Sequence, residues 1–300
     1  MVPPDRRHMA LGILFGFLVA NLWAGWMVVS RYGATHDLTA PDITFLRFLA
    51  AGLVTLPIFI IRWHEIRRLG WRGLFIMAAF GGVPYSITSV AGMELAPAAQ
   101  AAVVITGSLP VFATLLAWAW LRERPGGLRW IGLALVLCAL ALIGLEGELT
   151  GTWAGYGLFL AASAMWAAFT VGTRVYGLRP MSNVAVISVI SLIWYTPLFL
   201  AWGASSLGDA GFGDIGLQFV YQGLIAGVLA PIMYTRAIHS IGAPRAALIM
   251  VLVPVLTPIL GWLFLAEVPG WLTIAGIFLV LPGMAMAGGV VDALTKGRRK

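Results

Sequence analysis

Few side chains in this sequence could make or break covalent bonds. The four histidines, His8, His36, His64 and His239, all fall in tails, loops or helix ends. No histidine pair is therefore placed for a metal, a haem or a Ser-His dyad. Lys296 and Lys300 are the only lysines and follow the last apolar run, which excludes a retinal Schiff base inside a bundle. There is no Asp-rich motif for diphosphate and magnesium, and Cys138, being single, can form no intramolecular disulfide. This inventory predicts no catalytic residue, no metal, no cofactor and no enzyme activity. What remains is the chemistry of recognition, carried by polar and aromatic groups in the middle of apolar runs.

Asn21 stands among apolar neighbours with Trp23 and Trp26 close by. Ser163, Trp166 and Thr170 recur at i, i+3 and i+7, which is one face of a helix. Tyr85, Thr88 and Ser89 form another such group, with Gln100, Thr106, Tyr221 and Tyr234 further along. From these, Asn21, Trp23, Tyr85, Thr88, Gln100, Ser163, Trp166, Thr170 and Tyr234 are the candidate substrate-binding residues. For each one singly, hydrogen-bonded packing between helices, worth ~0.6–2 kcal/mol, is the competing reading. Arg47 is the clearest ionisable group inside a run, roughly 10 Å from the outer end of its helix at 1.5 Å per residue. It is read either as a side chain snorkelling to the interface or as a buried structural or gating charge. A cavity built from these groups is expected to be aromatic, polar in spots and without fixed charge, suiting a zwitterion or an amphipathic metabolite.

These residues need elements to hold them, and composition says what kind. Of 300 residues 60% are hydrophobic and 10% charged, against about 45–50% and 25% in soluble domains. Apolar runs at 10–30, 40–61, 72–93, 97–121, 129–145, 153–173, 183–202, 215–238, 244–266 and 271–290 each suffice to cross a hydrocarbon core of ~30 Å. Continuous runs, rather than alternating segments, predict helices and not a barrel. Arg6 and Arg7 precede a run too long for a secretory signal, so the first run is expected to remain as a helix. With ten helices and a cytoplasmic N-terminus, seventeen of the nineteen Lys/Arg residues fall on the cytoplasmic side, with Arg31 and Arg47 the exceptions. This bias predicts both termini in the cytoplasm of a bacterial inner (plasma) membrane protein. It also explains the net charge of +7 without nucleic acid, leaving membrane lipid as the partner of the basic tail 296–300.

The chain repeats itself. Leu109–Pro125 aligns without a gap on Val253–Pro269, pairing Pro110 with Pro254, Trp118 with Trp262, Glu123 with Glu267 and Pro125 with Pro269, all at an offset of 144. Trp23 pairs with Trp166, and Arg31 with Arg174, at 143. Five helices per unit is an odd number, so the second copy enters the membrane from the opposite side. Arg122-Glu123-Arg124 becomes Ala266-Glu267-Val268, losing its arginines where the copy turns outward. The expected fold is an all-α membrane protein of ten transmembrane helices in two inverted five-helix repeats, residues 1–148 and 149–300.

Leu22-Trp23-Ala24, Met165-Trp166-Ala167, Leu46-Arg47-Phe48 and the two Pro-to-Glu segments resemble the EamA-type unit of the drug/metabolite transporter superfamily over nearly the whole chain. Gly242-Ala243-Pro244-Arg245 before Pro254, with the tryptophan-rich first helix, is similar to bacterial amino-acid exporters of the YddG kind. The resemblance implies a small-molecule exporter, functioning as a monomer by alternating access along a path lined by helices 1, 3, 4, 6, 8 and 9, with 5 and 10 peripheral. Amino acids, aromatic and other apolar ones included, are the implied substrates. Drugs or other small metabolites are the alternative, and a receptor or membrane enzyme the alternative of another class. The related small multidrug antiporters use a first-helix glutamate, which neither 10–30 nor 153–173 contains, so proton-coupled cation export is not expected. Pro84, Pro110, Pro231 and Pro254 lie inside the runs, each removing a backbone hydrogen bond, and are expected kinks or hinges.

Overall fold

The computed structural model describes residues 6–122, 125–150, 152–202 and 205–289. Glu123, Arg124 and the basic tail lie outside the described residues. Ten helices follow one another: α1 Arg6–Ala34, α2 Ala40–Ile61, α3 Trp63–Leu95, α4 Ala98–Trp120, α5 Gly127–Thr150, α6 Trp153–Tyr176, α7 Pro180–Trp202, α8 Phe212–Ile241, α9 Arg245–Leu265 and α10 Trp271–Ala287. Nine of the described helices are long and apolar enough to cross a membrane, and α10 is a shorter apolar helix of 17 residues. The all-helical, two-repeat architecture read from the sequence is the one observed. Several helices extend past their runs, and the largest difference is at α3, which begins at Trp63, ahead of the run at 72, because His64 to Arg68 form a polar helical turn leading into it.

Local chemistry sets several of these ends. Thr39 caps α2 in a reciprocal box, its hydroxyl accepting from the Asp42 amide while the Asp42 carboxylate accepts from the Thr39 amide. The C-terminal ends of α4 and α9 reproduce the repeat at the level of single bonds. Arg122 and Ala266 both adopt φ 55°, and their N–H groups donate to Ala117 O and Gly261 O respectively. Left-handed backbone is uncommon for residues other than glycine, so its recurrence at the same repeat position marks a shared structural device.

The prolines sit at breaks. The α3 helix is interrupted at Gly82, and Pro84 opens its second half, 83–95. In α4, π-helical residues 102–106 precede Pro110, whose ring removes the hydrogen bond to the preceding turn. In α8, a π-helical stretch, 219–229, leads to Pro231 in the first turn of the next segment. The α9 helix breaks at Val251–Leu252, and Pro254 starts the segment that follows.

Packing has the two-fold pseudosymmetry of an inverted repeat. The α1 helix packs on α8 and α9, and its equivalent α6 packs on α3 and α4. The α2–α7 and α5–α10 pairs lie on the pseudo-axis, with α5 and α10 resting mainly on each other. Close approaches use glycine: Gly223 and Gly227 of α8 face Ala50 and Ala51 of α2, and Gly12 and Gly16 of α1 face Ile241 and Ile249.

Both described termini lie at one end of the bundle, here the near end. At the far end the symmetry between α1–α8–α9 and α6–α3–α4 is met by tight contacts. There α1 touches 83–95 of α3 and 98–101 of α4, and the second half of α9 packs on 98–106 of α4. The pseudo-equivalent near-end pairs, α6 with 230–241 or 243–250 and the second half of α4 with 243–250, show no comparable packing among the described residues. The bundle is thus closed at the far end and parted at the near end.

Candidate functional site

Between the two groups of helices runs a column of aromatic rings. Trp23 of α1 meets Tyr234 of α8 at 5.3 Å between centroids. Trp166 of α6 lies 4.8 Å from Tyr85 of α3, which stacks at 6.2 Å on Trp26 of α1. Trp23, Trp166 and Tyr234 are half-buried, whereas Trp26 and Tyr85 are buried at 5% and 7% exposure. The column therefore becomes progressively enclosed from the parted near end toward its floor. Offset aromatic faces suit apolar or aromatic ligand groups.

A polar network holds the floor. Trp26 Nε1 donates to Gln222 Oε1 at 2.6 Å, and Gln222 Nε2 donates to Ser30 Oγ at 2.8 Å and to Gln218 Oε1 at 3.0 Å. Gln218 Nε2 donates to Val29 O at 2.8 Å. Both glutamines are fully buried, so each bond replaces one that water would otherwise supply. Against Trp26 lies Arg47 of α2, its Cζ 5.4 Å from the indole centroid. Of the two readings of Arg47 the buried one is met, and the expectation of a path without fixed charge is not. The guanidinium does not snorkel to the interface: its Nη1 is buried without a hydrogen-bond partner. Nor is the path without fixed charge.

The far end is closed by a charged clasp over the α3–α4 corner. Arg31 Nε donates to Glu267 Oε1 at 2.7 Å. Arg31 also donates to the carbonyls of Met93 and Glu94, at the C-terminal end of α3. The other Glu267 oxygen accepts the Ala98 amide at 3.1 Å, at the N-terminus of α4. The cation thus sits on the negative end of one helix and the anion on the positive end of the next. Beside it, Glu146 accepts from Gln100 Nε2 at 3.1 Å and from the Thr273 amide at 2.7 Å, joining α4, α5 and α10.

Of the residues proposed from sequence, Trp23 meets Tyr234 and Trp166 meets Tyr85 along the column, and Thr88 is half-buried one turn from Tyr85. Asn21 donates to Phe17 O and Thr170 to Trp166 O, both within their own helices. Ser163 is fully buried and donates to Ile105 O in the π-helical part of α4, at 2.8 Å. Gln100 lies apart, in the far-end cluster. Trp71, Trp130, Trp153 and Trp271, near the ends of apolar runs, are all exposed, as suits interface anchors. Gln218 and Gln222 were missed, although two glutamines at i, i+4 inside an apolar run signal a buried partner. The Arg31–Glu267 pair was also missed, because 236 residues separate its members.

Ten apolar helices in inverted halves, closed at one end around an aromatic path, define a multi-pass membrane protein of the transporter class. The model of the EamA-like transporter family matches residues 10–145 and again 153–289. The chain belongs to this family, within the drug/metabolite transporter superfamily. Its relatives include Uncharacterized transporter YwfM of Bacillus subtilis (strain 168), 25% identical over 282 residues, spanning 90% of this chain and 91% of the relative. Solute carrier family 35 member G1 of Homo sapiens is 28% identical over 312 residues, spanning 93% and 80%. Uncharacterized inner membrane transporter YedA of Escherichia coli (strain K12) is 30% identical over 178 residues, spanning 56% of each chain. A protein of known crystal structure shares the fold at TM-score 0.62 and 19% identity, over 92% of this chain and 96% of that one.

Proposed function

We propose that this transporter exports amino acids, aromatic and other apolar ones included, from the cytoplasm across a bacterial inner membrane by alternating access. The observation that carries the mechanism is the inequality of the two ends. Inverted repeats make the near and far ends equivalent in sequence logic, yet the packing made at one has no comparable counterpart at the other among the described residues. A second state with these contacts exchanged would use the same segments in swapped roles. The interrupted helices α3, α4, α8 and α9, with Pro84, Pro110, Pro231 and Pro254 at their breaks, supply the bending elements.

Orientation follows from charge. Arg62, Arg67, Arg68, Arg72, Arg129, Arg174, Arg179, Arg236 and Arg245 belong to near-end segments, while Asp37, Asp42, Glu94, Glu146, Asp209, Asp214 and Glu267 belong to far-end ones. Positive charge inside puts the near end and both termini in the cytoplasm, so the described state faces the cytoplasm. Aromatic rings at the column and its mouth support apolar amino-acid cargo. Proteoliposomes holding the purified protein, given a panel of labelled amino acids, should show saturable flux for aromatic and large apolar members. Absence of saturable flux for every amino acid overturns this substrate.

A further inference from the structure

Among the described residues, the column holds one cation without a partner in the protein. Among the described residues Arg47 has no hydrogen-bond or ion-pair partner, and its Nη1 is shielded from solvent. Its surroundings are the faces of Trp26 at 5.4 Å and Phe48 at 5.9 Å, with the Tyr85 side chain within electrostatic reach. The carboxylates of α2 and of the end of α3 are already engaged. Asp42, one and a half turns away on α2, accepts from Thr39 and Ser205, and Glu94 accepts from the Ala40 amide. An unpaired charge at membrane depth is costly, and an intramembrane cation that the fold leaves unpaired calls for a counterion from elsewhere. A guanidinium with an unpartnered Nη1 beside an aromatic floor matches a carboxylate joined to an apolar or aromatic group.

We propose that Arg47 is the carboxylate-binding group of the transport path, and that the cargo class is small organic monocarboxylates with an apolar or aromatic tail. The carboxylate pairs with Arg47, and the tail stacks along Trp26, Tyr85 and Trp166. No carboxylate of the described residues faces this group to receive an ammonium, so the amine of an amino acid adds nothing at this point. Deaminated acids bind at least as well. This deepens the export reading and rests on it for the use of the site, though binding alone tests the site itself.

The test is calorimetric binding to the full-length protein in nanodiscs, using 3-phenylpropanoate, its neutral amide 3-phenylpropanamide, and phenylalanine. The expected result is at least tenfold tighter binding of the acid than of the amide, with phenylalanine no tighter than the acid. Arg47→Gln brings the acid-to-amide ratio near one, with amide affinity held within about twofold. Arg47→Lys keeps the charge without the planar fork and retains a reduced preference. If the glutamine variant does not fold, the lysine variant decides, and a ratio unchanged from wild type overturns the assignment. Equal acid and amide affinity in the wild type, a preference that survives in Arg47→Gln, or binding of neither compound overturns it as well. The two readings separate cleanly: saturable amino-acid flux with a ratio of one defeats the site and leaves export standing. Acid-selective binding without amino-acid flux does the reverse.

Discussion

Replacing Glu267 by glutamine should release the far-end clasp. Glutamine keeps an oxygen for the Ala98 amide but loses the charge that meets Arg31 at 2.7 Å. Side-chain exposures of 18% and 19% place the pair between a surface and a buried ion pair. An ion pair of this exposure contributes about 0.5–1 kcal/mol, and the anion on the N-terminus of α4 a further ~0.3–1 kcal/mol. A combined loss of roughly 1–2 kcal/mol corresponds to a shift of about 5–30-fold in population toward the state opened at the far end. Double electron–electron resonance between spin labels at Phe212→Cys and Trp153→Cys, both exposed at the far end on opposite helix groups, reads that shift directly. The exposed native Cys138 must first become serine so that it takes no label. A longer-distance population should rise in Glu267→Gln and likewise in Arg31→Gln. Distance distributions that do not change in either variant refute the clasp.

Gln222→Leu strands the Trp26 and Gln218 groups that it now satisfies, and should lower stability by about 1–3 kcal/mol, seen as a lower Tm in detergent; an unchanged Tm contradicts the network. Gly223→Ala drives a methyl into Ala50 and the α2 backbone and should cost ~1–3 kcal/mol. Gly157→Ala, with nothing within 4 Å, should be neutral or slightly stabilising, and thermal unfolding of the two variants distinguishes them. Pro110→Ala with Pro254→Ala should slow transport several-fold in folded protein, and equal wild-type and variant rates would remove the hinge role from both breaks.

Much of the fold was legible because hydrocarbon imposes simple rules. A run of about twenty apolar residues has few alternatives to a helix, and a constant offset of 144 between Pro110/Pro254 and Trp118/Trp262 exposes the repeat without any structure. That same offset reappears as matching left-handed caps at Arg122 and Ala266. The site was legible only in part. Trp23 was found beside Asn21, Trp166 on one face with Ser163 and Thr170, and Tyr85 and Tyr234 because they are aromatic at mid-run. Gln100 and Ser163 look alike in sequence, as polar groups in apolar runs. Their partners Glu146 and Ile105 O, 46 and 58 residues away, decide what they do, and one-dimensional spacing does not encode those partners. Arg47 was visible but its direction was not. Snorkelling and burial differ by a side-chain torsion, and which one holds depends on Trp26, which tertiary packing brings beside it.

Counterflow in proteoliposomes tests the central reading most directly. Vesicles preloaded with unlabelled phenylalanine and diluted into labelled phenylalanine should show a transient, saturable accumulation of label above equilibrium, as a carrier with a single alternately exposed site requires. Uptake that only approaches equilibrium and rises linearly with concentration would contradict alternating access, and no protein-dependent uptake of any labelled amino acid would contradict the assigned cargo.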